Sequence, residues 1–225
     1  MVNKYLKLLF LAWVYLISNA QSCFGFNEQG TWGASTIPVF TSMDAADALV
    51  PSPNGSFVLS VKNYKPFIER THPPKANYPL GKLEIGPPLT EIGWAQNSNS
   101  FFLNISDGGE VGTWMVHAFK ITSDRVVEYT FDESIMKRFL TRFNCGSEQE
   151  TPNFAGIRWT QNNTALLIVG EMPPHSGCKY MGTIRGYEYS FLRRQLLREY
   201  SEAELIEHFH KDLGARFARK LKSKN

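Results

Sequence analysis

The chain has 225 residues and a mass of 25.6 kDa, with 43% hydrophobic, 13% aromatic and 20% charged residues. That length suits one large domain or two small ones, and the apolar share excludes a disordered chain. Three cysteines are too few for a disulfide-dense miniprotein, and a formal net charge of +3 is too small for a dedicated nucleic-acid binder.

The first segment reads as an address. Lys4 and Lys7 form a positive start, residues 8–17 are uniformly apolar, and Ser18-Asn19-Ala20 places small residues where a signal peptidase cuts. Residues 1–20 are therefore expected to be a secretory signal peptide, with Gln21 as the mature N-terminus and a periplasmic or secreted destination. Ten apolar residues span about 15 Å as a helix, half a bilayer core, so no transmembrane segment is expected after cleavage. Lipid anchoring at Cys23 is disfavoured, because Asn19-Ala20-Gln21-Ser22 is a poor match to the lead that lipidation needs. Removing Lys4 and Lys7 from the 24 basic residues leaves 22 against 21 acidic ones, so the mature chain is nearly neutral.

Residues 21–225 read as a single β-rich domain. A degenerate N-terminal unit, about 31–88, opens with the turn Ser52-Pro53-Asn54-Gly55 and the strand-like Phe57-Val58-Leu59-Ser60-Val61. Six of the twelve prolines fall between Pro66 and Pro88, which suits an extended surface connection better than central strands. Two longer units follow, about 92–145 and 157–213, related by self-similarity. Ile92-Gly93-Trp94-Ala95-Gln96-Asn97 recurs 65 residues later as Ile157-Arg158-Trp159-Thr160-Gln161-Asn162. Glu128-Tyr129-Thr130 with Glu133 recurs 71 residues later as Glu199-Tyr200-Ser201 with Glu204. In each unit the Trp-bearing strand meets an Asn-rich turn and a second strand, at 101–105 or 165–169. A further strand follows at 114–121 or 184–191. The tryptophans are expected between layers. Thr130-x-x-Glu133 and Ser201-x-x-Glu204 are capping boxes, each opening a helix with apolar residues at helical spacing. The six extra residues of the second unit fall in the loop holding Met172 to Cys178.

At its turns the chain resembles the WD-like β-propeller repeat proteins of the bacterial periplasm, such as the TolB proteins. Ser52-Pro53-Asn54-Gly55 is similar to their Ser-Pro-Asp-Gly turn, and Trp94-Ala95-Gln96-Asn97 and Trp159-Thr160-Gln161-Asn162 are versions of it that lack both the proline and the glycine. The resemblance covers about a third of the mature chain. It implies blade-like antiparallel sheets serving as a binding scaffold. Three units are fewer than a closed propeller requires, so an open stack of sheets flanked by two capped helices, one C-terminal, is the expected fold.

The motifs that would name an enzyme are missing. The chain has no Gly-x-Ser-x-Gly, Gly-x-Gly-x-x-Gly, Gly-x-x-x-x-Gly-Lys or His-Glu-x-x-His, and no Cys-x-x-Cys. No cofactor or metal site is expected: Asp107-Gly108-Gly109-Glu110 reads as a hairpin turn, and His208 and His210 lie too far around a helix to share one ion. In an oxidising compartment Cys145 and Cys178, both in Gly-flanked turns, are the expected disulfide, with Cys23 left over. The loop they stiffen carries His175, Ser176, Gly177, Lys179 and Tyr180, and these are the candidate contact residues. Ser176-Gly177-Cys178-Lys179-Tyr180 also resembles the Ser-Gly-x-x-Tyr loop of periplasmic lysozyme inhibitors, which implies a loop pressed into a lysozyme cleft.

The expectation is an exported, non-enzymatic binding or scaffold protein whose partner is a protein or a cell-envelope ligand. The alternative is a secreted hydrolase assembled in three dimensions from His117, Asp107, Glu171 and His175. From Lys211 onward six basic residues face the single acid Asp212, a composition that also allows weak contact with an anionic surface. Asn54, Asn104 and Asn162 open glycosylation sequons, read first as turn chemistry.

Overall fold

The computed structural model describes residues 30–42, 44–87, 89–108, 112–129 and 133–222. The segment expected to be a signal peptide, Cys23 and the expected capping residue Thr130 lie outside the described residues, as do Gly109 and Glu110.

The chain is mainly β and forms three antiparallel sheets that do not close into a barrel or propeller. The first sheet is a meander of β2 (Ala48–Pro51), β3 (Phe57–Lys62), β4 (Lys65–Arg70) and β5 (Ala76–Pro79). The central sheet is the meander β6 (Thr90–Trp94), β7 (Ser100–Ser106), β8 (Trp114–Ile121) and β9 (Val126–Tyr129), with β1 (Ile37–Pro38) added beside β6. The third runs β10 (Asn153–Thr160), β11 (Ala165–Glu171), β12 (Ile184–Ser190) and β13 (Gln195–Tyr200). Helix α1 (Glu133–Arg142) follows the central sheet and α2 (Glu202–Phe209) follows the third; a short α3 (Ala218–Lys222) comes near the end. The landmarks of the two longer units sit in matching places. Ile92 and Trp94 lie in the first strand of one meander, Ile157 and Trp159 in the first strand of the other.

The strand period of two sorts side chains between the layers. Phe101 and Leu103 of β7 turn to the first sheet, where they meet Leu59, Val61 and Ile68. Their neighbour Phe102 turns the other way, into a core with Phe154, Trp159, Leu166 and Ile168 of the third sheet. Ile135 and Phe139 of α1 are buried in that same core, four residues apart on one helix face. β11 is buried along its whole length, because a third core of Trp32, Leu167, Val169, Leu205 and Phe217 covers its other face.

Phe102 lies so close to two backbones that only glycine fits. A Cβ on Gly93 would stand 2.1 Å from its ring, and one on Gly156 2.7 Å. This is where the central and third sheets approach most tightly.

The proline-rich stretch is not a surface connection. It contains β4, an inner strand of its sheet, and β5. The two-residue turn Asn63-Tyr64, with φ of 49° and 65°, makes Lys62–Lys65 the hydrogen-bonded pair of a tight hairpin. Pro66 opposes Val61 in the next, non-hydrogen-bonded pair, so its missing N–H takes no bond from β3. Pro79 ends the edge strand. On its other side Pro66 O accepts from Leu80 N at 3.2 Å, just past the end of β5, so these prolines sit at strand ends, where little of the ladder depends on them.

Residues 30–36 join the far end of the chain. Gly214 N donates to Trp32 O at 2.8 Å, and Ala215 and Arg216 N donate to Gly30 and Thr31 O, both at 2.9 Å. The buried Glu91 carboxylate accepts from Thr31 N, Trp32 N and the Thr36 hydroxyl. The strands of the N-terminal unit thus begin at Ala48, and the segment before them serves the other two sheets.

Candidate functional site

The three turns that carried the propeller-like motif meet at one end of the molecule. In the first, Ser52 Oγ accepts from Phe57 N and Asn54 Oδ1 from Ser56 N, with Gly55 at φ 70°. In the second, Ser98 is fully buried at φ 59°. In the third, Gln161, Asn162 and Asn163 are consecutive left-handed residues at φ 49°, 54° and 68°. Neighbouring turns are bonded to each other: Asn54 N donates to Ser98 Oγ at 3.2 Å, and Gln96 N to Asn163 Oδ1 at 3.3 Å.

Between these turns lies a cleft of about 730 Å³, a volume suited to a small molecule. Phe102 and Trp159 line it, and Trp159 Nε1 donates to Gly93 O at 3.0 Å. Trp94 is half-buried beside Phe101, with ring centres 5.0 Å apart. Side-chain amides of Gln96, Gln161, Asn162 and Asn163 surround the opening; Ile37, Pro51 and Pro53 add an apolar rim. Two lining residues, Trp94 and Thr160, each carry a buried polar atom, Nε1 and Oγ1, without a hydrogen-bond partner among the described residues. The ionisable lining residues are Arg158 and Asp212, and they pair with each other at 2.9 Å. Among the described residues the lining is therefore close to electroneutral.

The loop singled out from the sequence lies elsewhere. β11 runs away from the β10–β11 turn, so the segment after Glu171 emerges at the opposite end of the third sheet. The disulfide between Cys145 and Cys178 is present, with Cα atoms 5.4 Å apart. It fastens the loop to the chain just after α1. Ser176 and Cys178 are buried, and Tyr180 meets Phe143 edge-on at 5.4 Å. His175, Gly177 and Lys179 are exposed, with Lys179 Nζ 4.9 Å above the Tyr180 ring.

Of the four polar residues of the hydrolase alternative, three are engaged with separate partners. His117 Nδ1 lies 2.8 Å from Glu128 Oε1 on an open strand face, the side chains 31% and 54% exposed. Asp107 Oδ1 accepts from Thr113 N within its own loop. Glu171 is buried, accepting from Arg216 at 2.6 Å and from Asn153 Nδ2 at 3.0 Å. His175 is at the surface. None of them lines the cleft. Among the described residues no group of three His, Cys, Asp or Glu side chains could hold a metal, and no helix is long and apolar enough to cross a membrane.

In the basic C-terminal segment Arg216 pairs with Glu171 and stacks 4.6 Å over Trp32, and Lys220 pairs with Glu202 at 2.8 Å. Lys224 lies outside the described residues. The sequons divide by environment. Asn54 and Asn162 are exposed, whereas Asn104 is fully buried, with both amide atoms bonded to the Gly156 backbone. The cleft residues Trp94, Gln96 and Thr160 to Asn163 were visible in the sequence as the repeated Trp-x-Gln-Asn signature, where they read as turn and packing residues. Arg158 and Asp212 carried no such signal.

The chain matches no known family model, no characterised protein sequence and no solved structure.

Proposed function

We propose that the chain is an exported, non-enzymatic binding protein whose ligand occupies the cleft between the three turns. The observation that carries this reading is the open cleft itself, lined by aromatic rings and side-chain amides, in which two lining residues, Trp94 and Thr160, each keep a buried polar atom, Nε1 and Oγ1, without a hydrogen-bond partner among the described residues. A buried polar group without a partner costs about 1–3 kcal/mol, and a ligand that drew either into a hydrogen bond would recover part of it. The left-handed run Gln161–Asn163 supports the same reading. Non-glycine residues held there cost about 1 kcal/mol or more each and concentrate at ligand clamps. Export is supported by the disulfide and by the N-terminal pattern of Lys4, Lys7 and a short apolar run. The cross-linked loop bearing His175 and Lys179 is a separate rigid surface at the opposite end.

The test is thermal-shift screening of the mature protein against fractions of neutral sugars, acidic sugars, peptides and lipids, in parallel with Asn162→Trp, which fills the cleft mouth. A ligand that stabilises the wild type, leaves Asn162→Trp unshifted and is recovered chemically unchanged is the expected result. Equal shifts in both proteins would place the site outside the cleft. Conversion of the ligand would make the protein an enzyme.

A further inference from the structure

We propose that the ligand of this cleft is a neutral saccharide, an inference that rests on the binding reading above and specifies its chemistry. Four features of the lining carry it.

The first is charge. Arg158 and Asp212 neutralise each other at 2.9 Å, and the other lining residues are uncharged. A phosphorylated, carboxylated or cationic ligand would leave water for a site with no free counter-charge.

The second is the kind of polar group. Side-chain amides present a donor and an acceptor in one plane, which matches sugar hydroxyls, each both donor and acceptor. Asn162 is exposed at the mouth, and the Asn163 amide uses its oxygen on Gln96 N, leaving its NH₂ group for a ligand oxygen. Gln96 lines the cleft beside Asn163.

The third is the aromatic wall. The half-buried Trp94 indole lines the cleft and is held at a tilt against Phe101, ring centres 5.0 Å apart; an aromatic ring of this kind is a surface on which the C–H face of a sugar can rest.

The fourth weighs against the main competitor. An extended peptide usually binds by adding a strand to a sheet edge, reading the edge's free N–H groups. Of the strands that reach this cleft, the edge strands β1 and β2 end in Pro38 and Pro51, where proline removes the donor such a strand would require; β6 is paired on both sides, and on the edge strand β10 the Asn104 amide already occupies the Gly156 backbone.

The backbone completes the argument. Three consecutive left-handed residues hold the Asn162 and Asn163 side chains in one arrangement before binding, so less freedom is lost when a ligand arrives.

The experiment is isothermal titration of the mature, disulfide-intact protein with cellotetraose, maltotetraose and chitotetraose. Tetragalacturonate and a tetra-alanine peptide serve as charged and peptide comparators. Pelleting with insoluble cellulose and chitin separates recognition of a polymer surface from that of a free oligosaccharide. The expected result is saturable binding of at least one neutral tetramer, with tryptophan fluorescence changing on binding. Gln96→Ala, a change at the rim, is expected to weaken binding about tenfold, the effect of losing one good hydrogen-bonding group. Trp94→Phe is expected to abolish the fluorescence change; an unaltered thermal transition in both variants shows that the fold is intact. Binding of tetragalacturonate or the peptide, sensitive to Asn162→Trp, with no neutral tetramer bound, would overturn the saccharide inference and leave the cleft reading standing. Binding of none of these probes would overturn the saccharide inference, and the broader ligand screen would then decide the cleft reading by itself.

Discussion

Asn104 and Tyr187 are both fully buried polar residues, and they show opposite solutions to the same problem. The Asn104 amide donates from Nδ2 to Gly156 O at 2.9 Å and accepts at Oδ1 from Gly156 N at 2.7 Å. A side chain of the central sheet thereby imitates a strand and satisfies β10 where its ladder is interrupted between Gly156 and Arg158. No glycan could be attached to an amide used in this way. Tyr187 has no partner for its hydroxyl among the described residues. Burial, and then the nearby Glu199 carboxylate, hold its phenol well above the usual tyrosine range. A phenol whose pKa is raised by folding contributes stability below the unfolded value of about 10 and loses it as pH rises through the folded value. Tyr187→Phe should therefore leave stability at pH 7 unchanged or raise it, and should flatten its decline at alkaline pH. Urea unfolding at both pH values checks this; destabilisation by more than about 1 kcal/mol at neutral pH would reveal a bond made by the hydroxyl.

At the scale of elements, α2 is the clearest case of local sequence deciding local structure. Ser201 Oγ accepts from Glu204 N at 3.3 Å, and the Glu204 carboxylate accepts from Ser201 N at 2.7 Å, a complete capping box. Those bonds from Ser201, backbone first, lower the Glu204 pKa below the ordinary glutamate range. The sign follows from linkage: the contribution is present above the unfolded pKa and disappears as pH falls through the lower, folded one. Ser201→Ala should cost about 1 kcal/mol at pH 7. It should also weaken the dependence of stability on pH in the acid range, because the carboxylate then loses its side-chain partner. Denaturant titrations at neutral pH and at about pH 3 would show it. An unchanged acid slope in the variant would mean that the box does not control Glu204.

At the scale of the molecule, two fastenings hold an architecture that never closes on itself. One is the clasp of residues 30–36 against 212–216, with Trp32 packed edge-on between Trp114 and Phe217 at 5.9 and 5.7 Å. The other is the disulfide, which links residues 33 apart in sequence and ties the chain after α1 to the β11–β12 loop. Replacing Cys145 and Cys178 together by alanine should lower unfolding free energy by about 2–4 kcal/mol, through the greater freedom of the unfolded chain. Equilibrium denaturation of oxidised wild type and double variant measures it. Equal stabilities would mean that Met172, Tyr180 and Phe143 hold the loop by packing alone.

Much of the fold was legible because its causes are local. Strand alternation at Phe57–Val61, the recurring Ile-x-Trp strands, and the spacing of Ile135, Phe139 and Phe143 depend on periods of two and 3.6 that survive in the bare sequence. The Ser201 box needs four residues, and the disulfide needed only two cysteines in turn-rich segments. Residues 66–79 misled, because whether a proline breaks a ladder depends on which side of the strand its nitrogen faces, a matter of register. The site was harder still. Trp94, Gln96 and Asn162 were read as turn residues, and nothing along the chain says that three turns, from residues 52 to 163, bond to one another around one cleft. Nor could sequence place Asp212 against Arg158, 54 residues away. By itself the sequence determined the strands, the capped helix and the cross-link, because short-range geometry and covalent chemistry suffice for them. Only the tertiary structure decided where the cleft lies and that its charges cancel, because both depend on how separate sheets pack, and packing is a property of the assembled layers.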